Sequence, residues 1–192
     1  MSQPSEWIIK TNPQTEQRND FPWSKSWPKG IRPSLSYPEV PLFELFHESV
    51  ARNQDYPYLN ILGINYSYTE VNEKANQIAN ALNERDIGVG SRIGIFMPNI
   101  SQFVFVFYGI LKTGASVVPI SPLYGSDELK TVIKDSEIQG IFALDLLVPK
   151  LEEIHESTPA LKHYIITSLG DLVSPVKRWL ATKILKKIPK SP

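Results

Sequence analysis

The chain has 192 residues, of which 42% are apolar, with 20 basic and 20 acidic side chains and no cysteine. That length and apolar content suit one good-sized folded domain and exclude a disordered chain. Without cysteine there can be neither disulfides nor a thiolate metal site, which agrees with a reducing compartment.

The balanced charge is unevenly spread. Every acidic residue lies at or before Asp171, whereas the last 21 residues hold six basic side chains. An acidic body with a basic tail argues against nucleic acid as a partner of the whole and leaves the tail to be explained by itself. The segment Met1 to Trp7 has no basic stretch leading into an apolar run, so no secretory signal is expected.

In chain order, residues 1–38 are rich in Pro and Trp and show no period, which predicts an extended arm. Its tryptophans (Trp7, Trp23, Trp27) suit docking on the domain surface or on a second subunit. From Pro41 the pattern becomes regular: Pro41 fits a first helical position, and Leu42, Leu45, Phe46 and Val50 share one helical face. Two short strands, Tyr58–Ile61 and Ile64–Tyr68, are expected about Gly63. Ser67 and Glu70 have capping-box spacing, and Val71, Ala75, Ile78, Ala79 and Leu82 then form the apolar stripe of a helix ending before Gly88.

Between Arg92 and Lys112 lie 19 residues without a charge. A bilayer helix needs about 20 continuous apolar residues. Pro98-Asn99 interrupts the run, so a strand over Arg92–Met97 and a helix over Ile100–Lys112 explain it better. Strands over Ser116–Ile120, Gly140–Leu144 and His163–Thr167 alternate with helices over Ser126–Ser136 and Val148–Glu156, and a last helix runs from about Ser174 to Ile188. Strands apolar on both faces and separated by helices indicate right-handed βαβ crossovers. The fold class is therefore α/β, a mostly parallel sheet with flanking helices.

The residues show little chemistry. No two of the ten glycines adjoin, although a phosphate cradle needs them clustered. In Gly88-Val-Gly90-Ser-Arg-Ile-Gly94 the third glycine comes one place late for a dinucleotide fingerprint, and the segment precedes a strand rather than following one. It reads as a helix-to-strand turn. There is no G-x-S-x-G elbow. The histidines His47, His155 and His163 have no metal-ligand spacing, and Glu152-Glu153 diverge as neighbours on a helix. No catalytic residue and no metal ligand is assigned.

Several segments, in order, resemble the adenylate-forming (AMP-binding) enzymes. Tyr66-Ser-Tyr68-Thr-Glu70-Val71, leading into Asn76-Gln-Ile-Ala-Asn80-Ala-Leu82, is similar to the helix near their start. Ser91-Arg92-Ile93-Gly-Ile-Phe-Met97-Pro98-Asn99 resembles their next strand and turn, and Gly109-Ile-Leu-Lys112-Thr-Gly114-Ala115 their following helix-to-strand motif. Pro122-Leu-Tyr124-Gly-Ser-Asp-Glu128-Leu129, continuing to Asp135-Ser136, resembles the long-chain fatty acyl-CoA synthetases in particular. So do Pro22-Trp23-Ser-Lys-Ser-Trp27-Pro28-Lys-Gly30 and Ser168-Leu-Gly170-Asp171. The chain departs from the pattern at Ser91, Ser121 and Asp127, where Asp, Asn and a nearby Arg are usual.

The resemblance implies a two-step ligase. A fatty acid carboxylate attacks ATP to give acyl-adenylate, and CoA then displaces AMP, with Mg²⁺ as the metal of the intact enzyme. It also implies that residues 39–192 are the N-terminal part of the AMP-binding domain, ending before the phosphate loop, behind an arm over 1–38. On that reading this chain alone is inactive and binds none of ATP, Mg²⁺ or CoA. Two other readings stay open: a complete non-catalytic α/β binding module, or another adenylate-forming ligase acting on a different acid.

One loop is a candidate for the substrate pocket. Ser121, Pro122, Leu123 and Tyr124 follow the carboxyl end of an expected parallel strand, where α/β folds place ligands. The alternative is that Leu123 and Tyr124 pack the edge of the core. In the tail, Val176, Trp179, Leu180, Ile184 and Ile188 share one helical face with lysines opposite. The 174–190 helix suits either contact with a membrane surface or packing on protein. The expectations for the whole are a cytoplasmic protein, peripheral on the inner membrane face, with a homodimer as a further partner.

Overall fold

The structure, a computed structural model, describes residues 22–26, 28, 38–61 and 63–172. The chain divides into two units, Met1–Pro41 and Leu42–Pro192. In the first, Pro22–Ser26 form a short 3-10 helix with Trp23 56% exposed, so this part of the expected arm is coiled rather than extended. Trp7, Trp27 and the expected helix over 174–188 lie outside the described residues.

The second unit opens with helix α1 (Leu42–Asn53), strands β1 (Pro57–Ile61) and β2 (Ile64–Ser67), and helix α2 (Tyr68–Asn83). Alternation follows: β3 (Arg92–Phe96), α3 (Ser101–Lys112), β4 (Ser116–Ile120), α4 (Ser126–Asp135), β5 (Gly140–Leu144), α5 (Val148–Ile154) and β6 (His163–Thr167). Strands β1 and β2 form an antiparallel hairpin. The other four make one parallel sheet in the order β4-β3-β5-β6. The sequence anticipates a parallel sheet, but the order depends on pairings between distant residues.

The sheet is covered on both faces because its strands alternate. Ile93 and Ile95 of β3 join Phe142 and Leu144 of β5 against Leu82, Val106 and Ile110 from the α2 and α3 side. Phe96, Ile120, Ile141 and Ala143 face the other way, onto Leu129 and Ile133 of α4 and Leu151 and Ile154 of α5. Central strands β3 and β5 are almost wholly buried, while β4 is half covered. Pro119 in β4 has no N–H to give a ladder, and proline inside a sheet is confined to edge strands, which is where β4 lies among the described residues.

A third cluster holds α1 and the hairpin to the helices. Phe46 stacks on Tyr108 with ring centroids 3.8 Å apart, and Tyr58 packs edge-on against both Phe46 and Tyr68. Leu42, which helical spacing places inward, is 49% exposed; the aromatic cluster begins one turn later, at Phe46.

Two local devices fix α2 and its neighbour. The expected capping box is present: the Glu70 N–H donates to Ser67 Oγ at 3.2 Å, and the Ser67 N–H donates to Glu70 Oε2 at 2.7 Å. At the contact of α2 with α3, a Cβ on Gly109 would lie 2.6 Å from Ile78 Cγ2 and 3.1 Å from the Ala75 carbonyl oxygen. Only glycine lets the two helices come this close.

Candidate functional site

Because all four sheet strands run parallel, their carboxyl ends share one edge, and the loops after them gather there. Ser121 to Tyr124 leave β4 at this edge. Ser121 Oγ accepts from the Leu123 N–H at 3.3 Å, and the Ser121 carbonyl accepts from the Tyr124 N–H at 3.2 Å, which closes a tight turn. Gly125 ends the turn and starts α4 with half of a capping box, its N–H donating to Glu128 Oε2 at 2.9 Å.

The turn is stapled by a lysine from elsewhere. Lys150 Nζ, from α5, donates to the Pro122 carbonyl at 3.1 Å and to the Tyr124 carbonyl at 2.5 Å. The same ammonium lies 6.0 Å from the centre of the Phe96 ring at the end of β3. So β3, the β4–α4 loop and α5 converge on one cation. Nothing in the sequence singles out Lys150, since its partners are backbone oxygens 26 and 28 residues away.

The four pocket candidates are thus adjacent and held in shape. Leu123 is 88% exposed and Tyr124 36% exposed, so neither packs the core of the described body. Across the same edge, Leu146 after β5 is 73% exposed and Leu169 after β6 is 41% exposed. At the start of α3, just past β3, Ser101 and Gln102 are buried, and Ser101 Oγ and Gln102 Oε1 have no hydrogen-bond partner among the described residues. The Gln102 carboxamide N–H₂ donates to the Ser168 carbonyl at 3.1 Å, joining the β3 and β6 loops.

Several other titratable groups among the described residues have defined surroundings. His155 Nδ1 meets the Tyr164 hydroxyl at 3.0 Å, and His47 lies on the exposed side of α1. Burial, reinforced by a hydrogen bond to the Tyr108 hydroxyl, raises the Tyr58 phenol well above its ordinary pKa. Burial lowers Lys112, with the Glu44 carboxylate pulling the other way. The segment Gly88 to Gly94 is the expected turn into β3, with Gly90 at φ +86°.

An open cleft of about 500 Å³ lies between α1 and α2, walled by Phe43, Glu44 and His47 on one side and by Asn76, Asn80 and Asn83 on the other. The apolar periodicity of α2 gives no hint of it; the spacing of the asparagines is the signal that does.

Residues 46–188 match the AMP-binding enzyme family. The chain belongs to that family. A long-chain-fatty-acid–CoA ligase of Escherichia coli O157:H7 is 32% identical over 149 residues, covering 77% of this chain and 26% of that protein. One from Haemophilus influenzae is 30% identical over 171 residues, covering 88% and 30%. Among solved structures, a long-chain-fatty-acid–CoA ligase from Archaeoglobus fulgidus superposes with a TM-score of 0.64 at 21% identity, over 73% of this chain and 31% of that one. The fold of this AMP-binding chain is thus that of adenylate-forming enzymes, and the chain spans under a third of the length of the relatives it matches.

The family implies ATP, Mg²⁺ and CoA for an intact enzyme. Among the described residues no group of three His, Cys, Asp or Glu side chains could hold a metal ion, and no two glycines adjoin. The described residues thus offer no donor set that fits a nucleoside triphosphate with its metal. None of the helices among the described residues is long and apolar enough to cross a membrane.

Proposed function

We propose that this chain is the N-terminal segment of an ATP-dependent long-chain fatty acid–CoA ligase, and that it does not adenylate a carboxylate unaided. The reading is carried by the similarity to long-chain-fatty-acid–CoA ligases over 77–88% of the chain but only 26–30% of their length. The carboxyl-end edge of the sheet supports it. Leu123, Leu146 and Leu169 stand exposed there, as expected of a surface that further protein covers.

In the intact ligase the loop Ser121–Tyr124 contributes part of the wall of the acyl pocket, with Lys150 fixing its shape. ATP, Mg²⁺ and CoA bind to residues outside this chain. The basic 174–190 stretch lies against an anionic membrane surface on the cytoplasmic side, where its apolar stripe and lysines suit interfacial docking. A homodimer is compatible with this reading, and nucleic acid has no part in it.

Fatty-acid-dependent ATP–pyrophosphate exchange tests the central claim. The 192-residue chain is expected to show none, and the enzyme that contains it to exchange with long-chain acids. Measurable acyl-adenylate formation by the chain itself would overturn the proposal. A full-length enzyme that exchanges only with aryl or short acids would instead favour an adenylate-former of different specificity.

A further inference from the structure

We infer that the cleft between α1 and α2 binds an extended stretch of polypeptide by its backbone, through a ladder of asparagine carboxamides on α2. The observation that starts this is a spacing. Asn72, Asn76, Asn80 and Asn83 recur at intervals of four, four and three residues, which puts them on one stripe of the helix. Packing does not need them: Val71, Ala75, Ala79 and Leu82 form the buried side of α2. Helix stability does not call for them either, because asparagine competes with its own backbone and is a weak helix former.

One member of the stripe is occupied. Asn72 Oδ1 accepts from Lys112 Nζ at 2.8 Å. The carboxamides of Asn76, Asn80 and Asn83 make no hydrogen bond with other described residues, and all three face the cleft. Each offers an N–H₂ donor beside a C=O acceptor, so each can pair with one peptide N–H and one peptide C=O together.

The repeat selects the ligand. Four residues of helix rise roughly 6 Å, and two residues of extended chain span about 6.8 Å. The step from Asn76 to Asn80 therefore matches every second peptide group of an extended strand lying along α2, and Asn83, three residues or roughly 4.5 Å further on, reaches the peptide group before the next match. A cleft of about 500 Å³ is large enough for a short peptide segment.

The rest of the lining argues against other classes. Among the described residues of the wall only Phe43 and Ala79 are apolar, which is too little for a greasy ligand. Glu44 opposes Lys112 in charge, and Lys112 already donates to Asn72 and stands at the carboxyl end of α3, where the helix dipole favours the cation and weakens its pull on an anion. Recognition would then be of backbone, with little dependence on side-chain sequence.

The test uses the ¹⁵N-labelled 192-residue chain and the capped peptide Ac-Ala-Thr-Ala-Thr-Ala-Thr-NH₂, following the asparagine side-chain signals by NMR. Saturable shifts of Asn76, Asn80 and Asn83 are expected. Affinity should fall about tenfold for the same peptide with alternate backbone nitrogens methylated, and similarly for the double variant Asn76→Ala/Asn80→Ala. Alanine is the better helix former, so this variant keeps its fold, which its circular dichroism checks. Equal binding of the methylated peptide, undiminished binding by the variant, or no response to the peptide each overturns the inference. A response to maltohexaose alone also overturns it and assigns the cleft to carbohydrate.

Discussion

A Cβ at Gly109 would stand only 2.6 Å from Ile78 Cγ2 and 3.1 Å from the backbone oxygen of Ala75, so any larger residue must push α3 away from α2. Alanine would gain about 1 kcal/mol of helix propensity over glycine. Overpacking costs typically about 1–3 kcal/mol, and here part of the obstacle is backbone that cannot rotate aside. Gly109→Ala should therefore lower the midpoint of urea unfolding with an unchanged slope; a midpoint equal to or above that of the parent would refute this account. Lys150 is a second case at this scale. Its ammonium orders a loop entirely through carbonyl oxygens, so neither charge pattern nor motif announces it.

Among the elements, α2 is the most legible, because its start, its period and its length are all written locally. The Ser67 and Glu70 box forms as spaced, and the apolar stripe it introduces is the buried side. Removing the cap by Ser67→Ala should cost about 1 kcal/mol, and Ser67→Asp should restore most of it, since aspartate caps as well as serine. Chemical denaturation of the three proteins measures this, and equal stability of the Ala and Asp variants would show that the box contributes nothing. Helix α1 is less legible. Spacing places Leu42 inward, but whether a position is covered depends on where the aromatic neighbours Tyr58 and Tyr108 arrive from other parts of the chain. The candidate loop is visible as a stretch of sequence, whereas its exposure and its lysine staple are not, because both arise from contacts between distant segments. The cleft is hidden for another reason. Helical spacing is ordinarily sought in apolar residues, and the same period in asparagine carries information that an apolar count discards.

For the molecule as a whole, alternation of strands and helices is enough to reach a parallel α/β sheet, and the ordered motifs are enough to reach the family. The order β4-β3-β5-β6 lies beyond both, since each pairing joins residues far apart in sequence. The uneven charge is also a property of this scale. Six basic side chains over residues 172–192, following an acidic stretch, should make that segment the part of this chain that meets an anionic bilayer. Replacing Lys183, Lys186 and Lys187 by Glu in the full-length enzyme should therefore reduce its flotation with anionic liposomes, and unchanged partitioning would exclude the tail as the docking element.

Pro119 has a consequence for how this sheet behaves in company. An edge strand with all its donors is a template on which another chain can grow, and aggregation often begins at such an edge. Strand β4 lacks one donor because of Pro119, and among the described residues it lies at the outer side of the sheet. A stray strand arriving there would find an incomplete ladder. The edge is thereby made a poor seed for misassembly, even in a protein that exposes leucines at the ends of its strands.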